Sequence, residues 1–135
     1  MSTVSPVHTY SFPTKIHFGA GSRSMLPDTL ATLGLQRPLV VSDRDVSQLP
    51  WFPALVDLLG DFKVSTFSGV WGNPVVSQVD AGLVVYREHQ ADGIVAVGGG
   101  APMDVAKAIA LMAYHPGHLF DYEDGHPEAR PVDQA

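Results

Sequence analysis

The chain has 135 residues, a one-domain length, with 45% hydrophobic and 16% charged residues, which suits a packed core and not a disordered polymer. A net charge of -6, with 8 scattered basic residues, argues against nucleic acid as a partner, because phosphate backbones are held by clustered Lys and Arg. The absence of cysteine removes disulfides, zinc–thiolate sites and thiol nucleophiles. Residues 1–15 carry no apolar leader core, and no run approaches the ~20 apolar residues of a membrane span. A cytoplasmic protein without a membrane partner is expected.

Residues 1–14 are polar, contain Pro6 and Pro13, and read as an N-terminal arm before a domain over 15–135. Ile16, His17 and Phe18 form a short strand candidate closed by Gly19 and Gly21. Leu26, Leu30 and Leu33 recur at helical spacing; Ser22 or Ser24 offers a cap, Pro27 belongs in the first turn, and Gly34 ends the helix. A β-branched run over 38–42 ends at Asp43. A helix is expected over 52–59, with Leu55, Leu58 and Leu59 on one face and Gly60 as its stop. Residues 62–67 alternate as a strand does, and 69–74 read as a loop.

A helix over 75–90 has Val75, Val79, Leu83 and Tyr86 in register. Residues 94–97 are nearly all apolar, as in the middle of a parallel sheet covered on both faces. In the last helix Val105, Ala108, Ile109 and Met112 face inward. From His115 onward no helix or full strand is legible. Strands alternating with helices predict right-handed βαβ crossovers: an α/β fold with an open, mostly parallel Rossmann-like sheet and helices on both faces.

The most informative stretch is 93–107, a buried strand, the turn Gly98-Gly99-Gly100, and a helix start holding Pro102. Glycines let backbone N–H groups approach an anion with no Cβ in the way. A helix start adds unpaired donors and the positive end of a dipole, so the turn reads as a phosphate cradle. The plainer reading is a tight strand-to-helix turn. The dinucleotide fingerprint is imperfect: Met103 stands where a third glycine belongs, and the candidate ribose acid, Asp43, precedes the turn instead of following it.

Asp43 ends a buried strand at the edge where open sheets bind ligands. A carboxylate there accepts from ribose hydroxyls and repels a 2′-phosphate, favouring NAD over NADP; equally, it suits a cap of the turn beginning at Arg44. Asn73 is explained as an N-cap with Pro74 following, or as an amide near a cofactor. Asp104 lies in the first turn of the last helix, where the dipole favours a carboxylate, and Lys107 is placed to pair with it. His115, His118, Asp121, Glu123, Asp124 and His126 resemble metal ligands, but in a Pro/Gly-rich loop nothing fixes their geometry, and no metal site is assigned to them. A nucleophile elbow and a Walker lysine are both missing, against hydrolase and P-loop readings.

Three segments resemble the iron-containing (group III) alcohol dehydrogenases. Residues 13–22 resemble that family's opening strand and turn. Residues 40–43 resemble its second strand and terminal acid. Residues 98–107 resemble its Gly-Gly-Gly-Ser-x-x-Asp-x-x-Lys signature, with Ala101 where serine is common. Asn73-Pro74 also falls where the family carries Asn-Pro.

The resemblance implies an oxidoreductase that interconverts an alcohol and an aldehyde or ketone by metal-assisted hydride transfer to NAD. It implies that Gly98, Gly99 and Gly100 hold the pyrophosphate, that Asp43 contacts ribose, that Ala101 lines the turn through its backbone, that Asn73 lies nearby, and that Asp104 faces the cofactor–substrate cleft. No catalytic residue is implied within the chain. A divalent metal, iron or zinc, is implied only through a helical C-terminal domain, whose ligands, like the Thr-Thr-x-Gly-Thr-Gly-Ser-Glu segment, would lie beyond Ala135. The expectation is thus a truncated cofactor domain that is inactive alone. Relatives of maleylacetate reductase, glycerol dehydrogenase or dehydroquinate synthase, and a stand-alone non-catalytic nucleotide-binding module, are the alternatives. An unpaired sheet edge favours a homo-oligomer.

Overall fold

Strand β1 (Pro38–Asp43) is buried along nearly its whole length, as its Leu39-Val40-Val41 run demands of a strand covered on both faces. The computed structural model describes residues 13–133. It places β1 at the centre of a three-stranded sheet of order β2-β1-β3, with β2 (Ser65–Val70) and β3 (Gly93–Val97) both parallel to it. Alternation along β1 splits the core in two. Leu39 and Val41 pack with Phe67, Val79, Tyr86, Val105 and Ile109, beneath α3 (Val76–His89) and α4 (Gly100–Tyr114). Val40 packs with Leu30, Phe52, Leu59 and Val95, beneath α1 (Leu26–Thr32) and α2 (Phe52–Asp57). Each such fully buried aliphatic contributes on the order of 1.5–3 kcal/mol, so β1 joins both layers. The expected parallel sheet with helices on both faces is present. Among the described residues, no helix is long and apolar enough to cross a membrane.

The N-terminal ends of the strands are clasped by side chains. The Asp92 carboxylate accepts from the backbone N–H of Gln36 at 2.7 Å and of Arg37 at 2.9 Å. The Arg37 guanidinium donates to the His89 carbonyl at 2.7 and 3.0 Å, and the His89 ring reaches the Lys63 carbonyl at 2.8 Å. Between α3 and α4 the Tyr86 and Tyr114 hydroxyls lie 3.0 Å apart. Burial and that bond hold the Tyr86 phenol well above its ordinary pKa.

Several elements differ from expectation. Residues 16–18 form no strand: Ile16 and Phe18 are largely exposed and pair with nothing described. Of the expected arm, residues 1–12 lie outside the described residues. Neither Ser22 nor Ser24 caps α1; both belong to a 3-10 turn, Ser22–Met25, and Met25 is the cap residue. Leu33 and Leu58 are exposed and join neither core, while Leu59, beyond the end of α2 at Asp57, is fully buried.

The second strand is Ser65–Val70, three residues later than its alternation suggests, since pairing with β1 starts at Leu39↔Ser65. Phe62 and Val64 pack instead against the α1–α2 core, and residues 69 and 70 are strand, not loop. The middle strand is β1, not β3: β3 is only partly buried because one of its sides is an edge among the described residues. After α4 the loop contains one 3-10 turn, Leu119–Tyr122.

Candidate functional site

Right-handed crossovers bring the C-terminal ends of parallel strands and the N-terminal ends of the following helices to one edge of the sheet. Here β1 and β3 are tied at that edge by Ser42, a buried residue whose hydroxyl donates to the Val97 carbonyl at 2.8 Å. Asp43 and Gly98 are thereby set side by side. One Asp43 oxygen, Oδ1, accepts at 2.6 Å from the N–H of Val46, the first residue of the 3-10 turn Val46–Gln48, whose cap residue is Asp45. The other, Oδ2, faces the glycine turn, 3.3 Å from where a Cβ on Gly98 would stand. Asp43 thus holds the start of the following turn with one oxygen and directs the other at the glycine turn.

The three glycines do different work. Gly98 has φ +136, and a Cβ there would lie 2.7 Å from Pro102 Cγ, so only glycine fits its backbone. A Cβ on Gly99 or Gly100 would meet nothing within 4 Å. Space stands open where side chains would otherwise be. Gly99 is the cap residue of α4 and offers no side-chain acceptor. Among the described residues, the N–H groups of Gly99, Gly100 and Ala101 reach no acceptor. Three unpaired donors and the positive end of a 15-residue helix thus border open space. That arrangement suits a phosphate.

The remaining candidates lie around this turn. Ala101 is half-buried and packs on the α3–α4 core, so its contribution at the turn is its backbone. Asn73 is exposed and caps nothing, because α3 starts at Val76 with Val75 as its cap residue; the expected N-cap with Pro74 following is not what forms. Asp104 is the fifth residue of α4, beyond the first turn. No ion pair joins it to Lys107 among the described residues. It lines a cavity of about 470 Å³ with Pro74, Val75, Val79 and Phe120. On the opposite sheet face, a cavity of about 380 Å³ runs from Gly98 and Val97 to Arg23 and His17. A larger cavity of about 500 Å³ along α4 is lined mainly by carbon and lies away from the turn.

The histidine loop gathers no ligand set. His115 Nδ1 lies 2.8 Å from the Leu111 carbonyl, and its Nε2 accepts from the Asp133 N–H at 3.2 Å. His118 and Asp121 form a reciprocal capping box on the 3-10 turn Leu119–Tyr122. His126 accepts from the Glu128 N–H at 3.2 Å. Among the described residues no three His, Asp or Glu side chains are grouped to hold a metal.

Two further residues at this edge of the sheet belong to no sequence motif. Trp71, just beyond β2, is 60% exposed, and the Arg44 guanidinium lies 5.6 Å from the centre of its ring. Their legible signal is position alone: each immediately follows a strand end.

Comparison with known proteins identifies the family. Residues 13–134 match the family described as iron-containing alcohol dehydrogenase. The chain is 34% identical over 125 residues to choline dehydrogenase of Bacillus subtilis, covering 91% of this chain and 31% of that protein. It is 37% identical over 109 residues to 4-hydroxybutyrate dehydrogenase of Cupriavidus necator, covering 81% and 28%. Among solved structures it resembles sulfoacetaldehyde reductase from Bifidobacterium kashiwanohense in complex with NAD+, with a TM-score of 0.79 and 30% identity, covering 90% of this chain and 32% of that one. The chain spans about three tenths of the length of these relatives. With nearly all of its sequence matched, and with the fold and glycine turn described above, the chain belongs to the iron-containing alcohol dehydrogenase family.

Proposed function

We propose that this chain binds NAD as the cofactor-binding part of an alcohol dehydrogenase that interconverts an alcohol with an aldehyde or ketone. One observation carries the reading: the β3–α4 turn keeps its N–H donors unspent and its space open at Gly99 and Gly100, beside the carboxylate of Asp43. These residues fit a dinucleotide. The backbone of Gly98, Gly99, Gly100 and Ala101 would hold the pyrophosphate, and Asp43 Oδ2 would accept from ribose hydroxyls. Asn73 stands at the neighbouring strand end, and Asp104 borders the cavity beside it.

When bound, NAD supplies the nicotinamide carbon that takes or returns a hydride. This chain's residues bind and orient it. No metal-dependent step is assigned to them, because the described residues offer no ligand cluster. A cytoplasmic setting and a homo-oligomer belong to the same reading; among the described residues β2 and β3 each have an unpaired edge for a second copy to cover.

The test is calorimetric titration of the protein with NAD and NADP, then of Asp43→Asn. Asparagine keeps an acceptor for the Val46 N–H while removing the charge. NAD should bind the natural protein more tightly, and the substitution should narrow the preference by roughly tenfold, the scale of one screened charge–charge contact. Unchanged selectivity removes Asp43 from the ribose site. No binding of either cofactor overturns the proposal.

A further inference from the structure

We infer that Arg44 and Trp71 form a stacking shelf for the adenine base of the dinucleotide, a subsite one strand beyond Asp43; this rests on the cofactor reading above. The sheet order puts the strand ends in a row: β3 with the glycine turn, β1 with Asp43, β2 with Trp71. Neighbouring parallel strands lie about 4.8 Å apart. The pyrophosphate belongs at the first position and the adenosine ribose at the second. The base attached to that ribose continues away from the pyrophosphate, toward the end of β2.

Arg44 and Trp71 occupy that place and are held there. Asp43 pairs with Val70 in the sheet, and the Arg44 N–H donates to the Val70 carbonyl at 2.8 Å. The Trp71 carbonyl accepts from Nε2 of Gln78 at 2.8 Å, and Gln78 is only 6% exposed. The backbone under the indole is thus fixed from two sides. The guanidinium over the ring leaves the indole 60% exposed, so area remains for a second planar group.

Arg44 contributes little to the fold. Its ion pair with Asp45 spans 4.0 Å between exposed side chains, and such pairs stabilise weakly. Scattered surface aromatics need no function. Trp71 differs in having an anchored backbone, a cation on its ring and a position in line with the turn. Aromatic rings and guanidinium planes both stack on nucleobases, whatever the base.

The experiment titrates the protein with ADP-ribose, which carries adenine, ribose and pyrophosphate, and with nicotinamide mononucleotide, which lacks adenosine. Trp71→Ala should weaken ADP-ribose about tenfold or more, the scale of one lost base stack. Trp71→Phe should stay within about threefold of the natural protein, and mononucleotide binding should not change. In a Trp51→Phe background, ADP-ribose should quench Trp71 fluorescence; this needs no change at the shelf. ADP-ribose binding with equal affinity in all variants, without quenching, overturns the shelf and leaves the cofactor reading intact. No ADP-ribose binding in the natural protein overturns both.

Discussion

The two ends of the sheet carry similar kinds of polar group and use them in opposite ways. At the N-terminal ends, Asp92 takes two backbone N–H donors, Arg37 closes on the His89 carbonyl, and the His89 ring on that of Lys63. At the C-terminal ends, three successive N–H groups at the start of α4 find no acceptor, and only one Asp43 oxygen is engaged. Topology explains the difference. Parallel strands with helical crossovers point every strand C-terminus and every following helix N-terminus the same way, so surplus donors collect at one end. An end whose groups are paired holds the fold; an end with unpaired donors around open space has the groups to take a ligand, as proposed above. The histidine loop obeys the same test. Its His115, His118, Asp121 and His126 look like ligands in sequence, yet their side chains are engaged in caps and backbone bonds.

The largest effect is expected where the two ends cannot be separated. Gly98 sits at the ligand edge, but its φ of +136 and the 2.7 Å approach of Pro102 Cγ make it a structural glycine. Gly98→Ala should cost about 2–4 kcal/mol through strain and overlap with a rigid ring. A urea unfolding midpoint measures this. A midpoint equal to that of the natural protein would mean the turn relaxes without cost, and that the chain does not need glycine there.

Next comes the closed end. Asp92→Ala removes the acceptor that Gln36 and Arg37 share beside β1; the bonds are exposed, so water replaces it in part and the cost should be about 0.5–1.5 kcal/mol, with Asp92→Asn recovering some of it. Affinity for ADP-ribose should stay within about twofold, since sites this far apart usually behave additively. If affinity falls along with stability, the two ends are coupled and the division drawn above fails.

What the sequence disclosed follows the same line. β1 and the glycine turn were legible because they are set locally, one by a β-branched run and the other by three consecutive glycines. The position of β2 was not. Its register depends on pairing with Leu39 and Val40, a contact 26 residues away in the chain, which alternation within 62–67 does not report. The strand expected at 16–18 had the right residues but has no described neighbour to pair with. Asp43 was legible as the acid that ends β1, but the different directions of its two oxygens were not, because they depend on where Val46 and Gly98 lie in space. Arg44 and Trp71 belong to no motif; only the sheet order brings them into line with the turn.

The smallest effect on stability is the most telling. Gly100 is the first residue of α4, and a Cβ there meets no atom within 4 Å. The fold does not require glycine at this position. Replacing glycine by alanine in a helix removes unfolded-state freedom and stabilises by up to about 1 kcal/mol, less at the first position. Gly100→Ala should therefore melt at the same temperature as the natural protein or slightly above it. The added methyl occupies the space the pyrophosphate would fill and holds it off the N–H groups, so ADP-ribose affinity should drop about tenfold or more, the value of one good charge-assisted hydrogen bond. A glycine kept for the turn alone predicts the opposite pairing, lower stability with unchanged affinity. The two measurements on this one variant thus distinguish a cradle from a bend.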